Sequence, residues 1–157
     1  PPMFHLYDVE TEEGPVTLIA VLPPETALER GLPSPAVVGT VPRGTAEITP
    51  ETFTPNPEFS TFLGFVVARH GAADPALARQ AAEQGDGWIY MLDLRAGPED
   101  DEIADEDIIG AFRAEGGHVV PGSFRGNPGH QLLTARGLPQ LDAWLEERLL
   151  EELLALE

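Results

Sequence analysis

Apolar and polar positions divide the chain into short strand-like runs and longer helix-like ones. The run from Val16 to Leu22 is β-branched and apolar, which predicts a strand buried on both faces, and Pro23-Pro24 ends it. Glu25 to Arg30 reads as a short helix with proline at its start, an acid in its first turn and Gly31 beyond its end. A second strand is predicted near Ala36–Val41, followed by a long loop or short edge hairpin in the Pro- and Thr-rich stretch 42–55. Asn56-Pro57-Glu58 is a helix start, Phe59, Phe62, Leu63, Val66 and Val67 recur at three-and-four spacing, and Gly71 closes the helix. Asp74-Pro75 opens another helix, Ala76 to Gln84, stopped by Gly85-Asp86-Gly87.

Trp88 to Leu94 is the strongest strand signal, aromatic and β-branched at its start and bounded by glycine. After an acidic loop, 97–107, the stretches Ile108–Ala114 and His118–Val120 read as two strands around a Glu115-Gly116-Gly117 turn. From Pro139 onward Leu141, Leu145, Leu149 and Leu153 share one stripe, with Glu146, Glu147, Glu151 and Glu152 opposite, which predicts an amphipathic terminal helix over 139–156. Residues 1–14 have no clear period and read as a loose edge strand or arm. Strands and helices follow one another without regular alternation, so the expected class is α+β: a mixed or antiparallel sheet with flanking helices. At 157 residues, 42% of them hydrophobic, the chain suits one compact domain, 1–157.

Charge narrows the partners. Twenty-seven acidic residues stand against nine basic ones, a formal net charge of −18, and such a field repels nucleic-acid phosphates and anionic lipid. No segment approaches the roughly 20 apolar residues of a membrane span, and no basic flank precedes an apolar run at the start. The expectation is a soluble protein, cytoplasmic or delivered as an effector. All nine basic residues are arginine, which excludes Schiff-base lysine chemistry and a P-loop lysine. The absence of cysteine excludes thiolate nucleophiles, disulfides and cysteine-based zinc sites.

Several motifs bear on chemistry. Arg69-His70-Gly71 imitates a histidine-phosphatase motif, and Leu133-Thr134-Ala135-Arg136-Gly137 with Gln140 imitates a second one. The first tripeptide, however, falls at a helix C-terminus, where the dipole disfavours a phosphoryl group and favours a plain cation. The loop residues Glu99, Asp100, Asp101, Glu102, Asp105, Glu106 and Asp107 place seven carboxylates in nine positions. Their spacing does not fit an EF-hand, so a solvated acidic loop that favours a basic partner is the expectation. His5, His70, His118 and His130 are scattered, without metal-ligand spacing, and Ser34, Ser60 and Ser123 lack a nucleophile elbow.

Three stretches, in order, resemble the ADP-ribosyltransferases of the cholera and heat-labile enterotoxin A-subunit group. They are Leu22-Pro23-Pro24-Glu25 with Gly31-Leu32-Pro33; the Ala- and Gln-rich helix leading into Trp88-Ile89-Tyr90-Met91-Leu92; and Ile103 with Ile108-Ile109-Gly110-Ala111-Phe112-Arg113. The resemblance implies a fold of that class and a cleft for NAD beside Trp88 and Tyr90. It also implies a first-strand arginine and a Glu-x-Glu pair that stabilises positive charge in the transition state. Those positions are held here by Leu18, Leu94 and Ala96, and the lone Ser-Thr pair, Ser60-Thr61, falls on a helix.

Two readings follow. In the first, the domain lacks the usual catalysis and acts as an acidic protein-interaction module in a toxin, effector or immunity setting, with Asp100, Asp101, Asp105, Glu106 and Asp107 facing a basic protein. In the alternative, Glu99 or Glu102 with Arg95 has taken over as the catalytic set of an NAD-dependent transferase or NAD glycohydrolase. The leucine stripe adds a choice for Leu141, Trp144, Leu145 and Leu149, between homodimerisation through the last helix and packing on the sheet.

Overall fold

The computed structural model describes residues 3–96 and 102–156. The first sheet begins with β1 (His5–Thr11) and β2 (Gly14–Ala20), antiparallel and in register from His5 opposite Ala20 to Thr11 opposite Gly14. The N-terminal segment is therefore the outer strand of a hairpin, closed around Glu12-Glu13 by the Thr11 hydroxyl, which donates to the Gly14 carbonyl at 2.7 Å. After α1 (Pro24–Arg30), β3 (Val37–Pro42) pairs with the other side of β2, and the two-residue β4 (Thr54–Pro55) pairs with β3.

The expectation that Val16–Leu22 is buried on both faces is corrected. Within β2, Thr17 and Ile19 are buried while Val16 and Leu18 are half-buried. Continuous burial starts only at Ile19, because a register shift between Ile19 and Ala20 breaks the alternation.

Two helices follow, α2 (Pro57–His70) and α3 (Pro75–Gln84), each opened by a capping side chain and a proline in the first turn. Asn56 accepts the Glu58 N–H at 3.2 Å, and Asp74 accepts the Ala76 N–H at 3.0 Å. Gly71 caps α2 in ordinary right-handed geometry, φ −58°, so backbone handedness does not require glycine there. Packing does: a Cβ at Gly71 would lie 2.6 Å from the Phe112 ring.

The second sheet pairs β5 (Gly87–Leu92) with β6 (Ile108–Glu115), and β6 with β7 (His118–Val119) and β8 (Arg125–Gly126). Every pairing among the described strands is antiparallel, in two sheets rather than one mixed sheet. The chain closes with α4 (Ala143–Leu154), whose cap, Asp142, accepts the Leu145 N–H at 2.7 Å. One hydrophobic cluster joins both sheets to the helices, with Ile19, Val38, Phe59, Ile89, Phe112 and Leu149 fully buried at its centre. The class is α+β.

The last helix starts four residues after the predicted Pro139, because the Gln140 carbonyl is engaged by the Leu94 N–H at 2.9 Å and Asp142 serves as the cap. Its leucine stripe is consumed within the chain. Leu145, Leu149 and Leu153 lie in the core and α4 packs against α2, so they are not free to form a homodimer seam. Leu141 is buried ahead of the helix, and Trp144 lies half-buried with the Arg148 guanidinium 5.0 Å from its ring centre. Arg69, a cation at the end of α2, and His70 beside it each stand 3.5 Å from a Glu152 carboxylate oxygen on α4.

Candidate functional site

The strand β5 ends two residues sooner than its apolar run suggests, and that early end builds the polar centre of the molecule. Past Leu92 the Asp93 N–H donates to the Asp107 carbonyl at 2.8 Å, so both backbone and side chain of Asp93 turn inward. One carboxylate oxygen, Oδ1, accepts from the Gln140 N–H at 2.8 Å and the Arg95 N–H at 3.2 Å. The other, Oδ2, lies 3.0 Å from His130 Nε2 and 3.6 Å from Arg95 Nε. A carboxylate only accepts, so the proton in that contact belongs to His130 Nε2.

Arg95 carries five N–H donors and all are engaged. Nε donates to Asp107 Oδ1 at 2.7 Å; Nη1 to the carbonyls of Gly137 at 3.0 Å and Leu132 at 3.4 Å; Nη2 to those of Glu106 at 2.9 Å and Gln131. The side chains of Arg95, Asp93 and Asp107 are 0%, 0% and 2% exposed. One guanidinium thus ties the turn before β6 to the long segment leading to α4. Asn127 reinforces the junction, its Nδ2 donating to the Asp105 carbonyl at 2.8 Å and the Ile108 carbonyl at 2.9 Å.

Two clefts adjoin this centre, of about 370 Å³ and 550 Å³, and His130, Ser60 and Thr61 line both. Phe124 and Asn127 contribute to the smaller, Phe53 and Leu133 to the larger. An imidazole whose Nε2–H is held by a buried carboxylate can present its other nitrogen as an acceptor, the arrangement that orients a histidine base.

The residues expected to form a site are dispersed. Arg95, expected to act on NAD, is an internal tie with no donor left for a ligand. Asp107, expected on a docking surface, is buried because it balances the Arg95 charge; both expectations are corrected. Glu106 is half-buried, its carbonyl taken by Arg95 and by the Gln131 N–H at 3.1 Å. Glu102 and Asp105 are exposed, while Glu99, Asp100 and Asp101 lie outside the described residues.

Trp88 and Tyr90 alternate onto one face of β5. Trp88 has Arg113 and Arg125 at 5.8 Å and 5.1 Å from its ring centre, and Tyr90 is half exposed on the rim of a different cavity. Asp93 and His130 are what sequence reasoning missed. The available signal was the lone charge inside Tyr90-Met91-Leu92-Asp93-Leu94, since an acid in a strongly apolar run is buried only with a partner.

That third cavity holds a further buried acid. Asp74 and Asp142, the caps of α3 and α4, both line it. Asp74 is 1% exposed, and burial, followed by its contact with the Asp142 carboxyl, pushes its carboxyl up to about 7. A raised carboxyl binds a proton in the folded chain that the unfolded chain has released, so its stabilisation is full below about pH 4 and is lost as pH rises through about 7. Asn in place of Asp74 keeps the cap and supplies a permanent N–H toward Asp142. Asp74→Asn is expected to be more stable than the native chain at pH 8 by on the order of 2 kcal/mol and to differ little at pH 5. Urea unfolding at the two pH values measures this, and an equal difference at both would contradict it.

Among the described residues no three His, Asp or Glu side chains converge to hold a metal ion, and no helix is long and apolar enough to cross a membrane. Two antiparallel sheets joined by capped helices, with a buried Asp-Arg-Asp-His centre, define the molecule. In comparison with known families, curated proteins and solved structures, no family model, no curated protein and no solved structure matches the chain.

Proposed function

We propose that this chain is an acidic protein-interaction module that binds a basic protein, in the setting of a toxin or effector and the protein that neutralises it. The observation that carries the reading is the uncompensated charge of −18. That figure already counts all nine arginines. Arg95 is interior, while Arg43, Arg69, Arg113 and Arg148 each lie within 4 Å of a glutamate and form local pairs. The exposed carboxylates of Glu102 and of Asp105, whose Oδ1 accepts the Asn127 Nδ2–H at 3.3 Å, contribute to the outward field. A field of this size steers a basic partner and raises its association rate by roughly tenfold to a thousandfold.

The NAD-dependent alternative has less support. Its arginine has no free donor, Trp88 stands beside Arg113 and Arg125, and Tyr90 lines the cavity of Asp74. The resemblance to the enterotoxin group rests on the sequence stretches alone.

The test is affinity recovery at low salt from the source lysate. A basic protein is expected, with binding that weakens at least tenfold when salt is raised from about 50 to 200 mM. Glu102→Gln with Asp105→Asn is expected to slow association, while Glu12→Gln with Glu13→Gln, equal in charge but on the β1–β2 turn, leaves it nearly unchanged. Recovery of no basic protein, or binding indifferent to salt, would overturn the proposal.

A further inference from the structure

The cavity between the starts of α3 and α4 brings two carboxyls together, with the Gln80 amide and the Tyr90 hydroxyl also on its wall. Asp74 Oδ1 holds the Ala76 N–H and Asp142 Oδ1 holds the Leu145 N–H, so one oxygen of each carboxyl is engaged by its own helix. Asp74 Oδ2 is buried and receives no N–H or O–H from the described chain. Its neighbour is the Asp142 carboxyl, also an acceptor when ionised. Two carboxylates held in contact need a proton or a cationic donor to bridge them.

The rest of the cavity says which donor fits. Its wall is mostly apolar, formed by Leu77, Met91, Leu94 and Leu145 among others, with Gln80 and Tyr90 as its polar members besides the two acids. Its volume is about 170 Å³, room for about five water-sized groups at roughly 30 Å³ each. Two carboxylates in an apolar wall fall well short of the six or more oxygens that calcium takes, and they repel anions. A lysine side chain fits on each count, with four methylenes for the apolar wall and a compact ammonium with three donors.

We propose that this cavity binds a primary alkylammonium group, the lysine side chain of a basic protein, with its N–H donors bridging Asp74 and Asp142. The identity of the lysine's owner rests on the function proposed above; the cavity's preference does not. The ammonium and the shared proton compete for one place. The titratable groups around that place are Asp142 from the start of α4 and Tyr90 from β5, with the neutral Gln80 from α3.

The experiment titrates the full chain with n-butylammonium chloride, and in parallel with n-butanol, following the Ala76 and Leu145 amide resonances. At about pH 8 the amine is expected to give saturable shifts and the alcohol at least tenfold weaker ones. At about pH 5.5, where Asp74 is protonated, the amine is expected to bind at least tenfold more weakly. Asp74→Asn and Asp142→Asn both keep a capping side chain, and each is expected to weaken binding at least tenfold at pH 8 and flatten its pH dependence. No saturable shift at millimolar amine, equal binding of the alcohol, or unchanged affinity in both Asn variants would overturn the proposal. Because the probe is a small amine, its failure leaves salt-dependent protein binding standing, and failure of the latter leaves the cavity's result intact.

Discussion

Arg95→Met is expected to destabilise the domain by about 3–5 kcal/mol, the usual consequence of removing one partner from a buried ion pair. The guanidinium balances two carboxylates that are 0% and 2% exposed, Asp93 and Asp107, and fills the acceptor needs of four carbonyls. Methionine replaces the aliphatic stem and supplies no donor, so both acids lose their guanidinium, the carbonyls of Gln131 and Leu132 lose the Arg95 donor, and those of Glu106 and Gly137 keep only a backbone N–H. Against a total of about 5–15 kcal/mol for a typical domain, the loss is a large share. Thermal and urea unfolding should show it as a fall in Tm of roughly 10 °C. Arg95→Lys is expected to fall between, since an ammonium has three donors and cannot span five acceptors. Adding Asp107→Leu to Arg95→Met should recover part of the loss by removing one stranded charge. A Tm within a degree or two of native for Arg95→Met would show that the buried centre contributes little.

Phe112→Ala is expected to lower stability by about 3–5 kcal/mol through lost burial and the cavity left behind. Phe112 is fully buried on β6, its ring centre is 5.1 Å from that of Phe124, and its edge lies over Gly71. The last contact makes the prediction specific. Gly71→Ala in the native chain places a methyl 2.6 Å from the ring, too close without movement of one of them, and should be destabilising although the backbone there suits alanine. In the Phe112→Ala background the same substitution has room and adds a good helix former, so its effect should vanish or change sign. Additive losses in the double variant, measured by urea unfolding, would contradict the close approach.

Element types were largely legible in the sequence. Helices α2 and α3 begin where Asn56-Pro57 and Asp74-Pro75 predict, because a cap and a first-turn proline act within three residues of each other. Strands β5 and β6 fall on the runs with the densest aromatic and β-branched residues, and the turn at Glu115–Gly117 separates β6 from β7. Two of the misplaced boundaries share one reason. The runs 88–94 and 139–156 keep their apolar pattern to the end, yet the Asp93 N–H, the Leu94 N–H and the Gln140 carbonyl are bonded to one another or to Asp107. Periodicity cannot register a competitor from a distant segment.

The candidate site was less legible. The seven carboxylates between Glu99 and Asp107 are alike as a string, and the sequence offers no local reason to set Asp107 apart. It differs because Arg95, twelve residues earlier, needs an anion in a place without water. His130 and Asp93 are 37 residues apart and join only once β5 ends and the segment after β8 folds over it.

By itself, then, the amino-acid sequence determined the α+β class, the helix starts, the main strands and the −18 charge, all of which depend on residue type and on neighbours within a turn or a pleat. Tertiary structure alone decided which charges are interior, that the terminal leucine stripe packs on α2, that Gly71 makes room for a ring, and that two helix caps meet in one cavity. Those outcomes turn on desolvation and on contacts between segments distant along the chain, whose strength depends on what lies within a few ångströms in space and leaves no trace in local pattern.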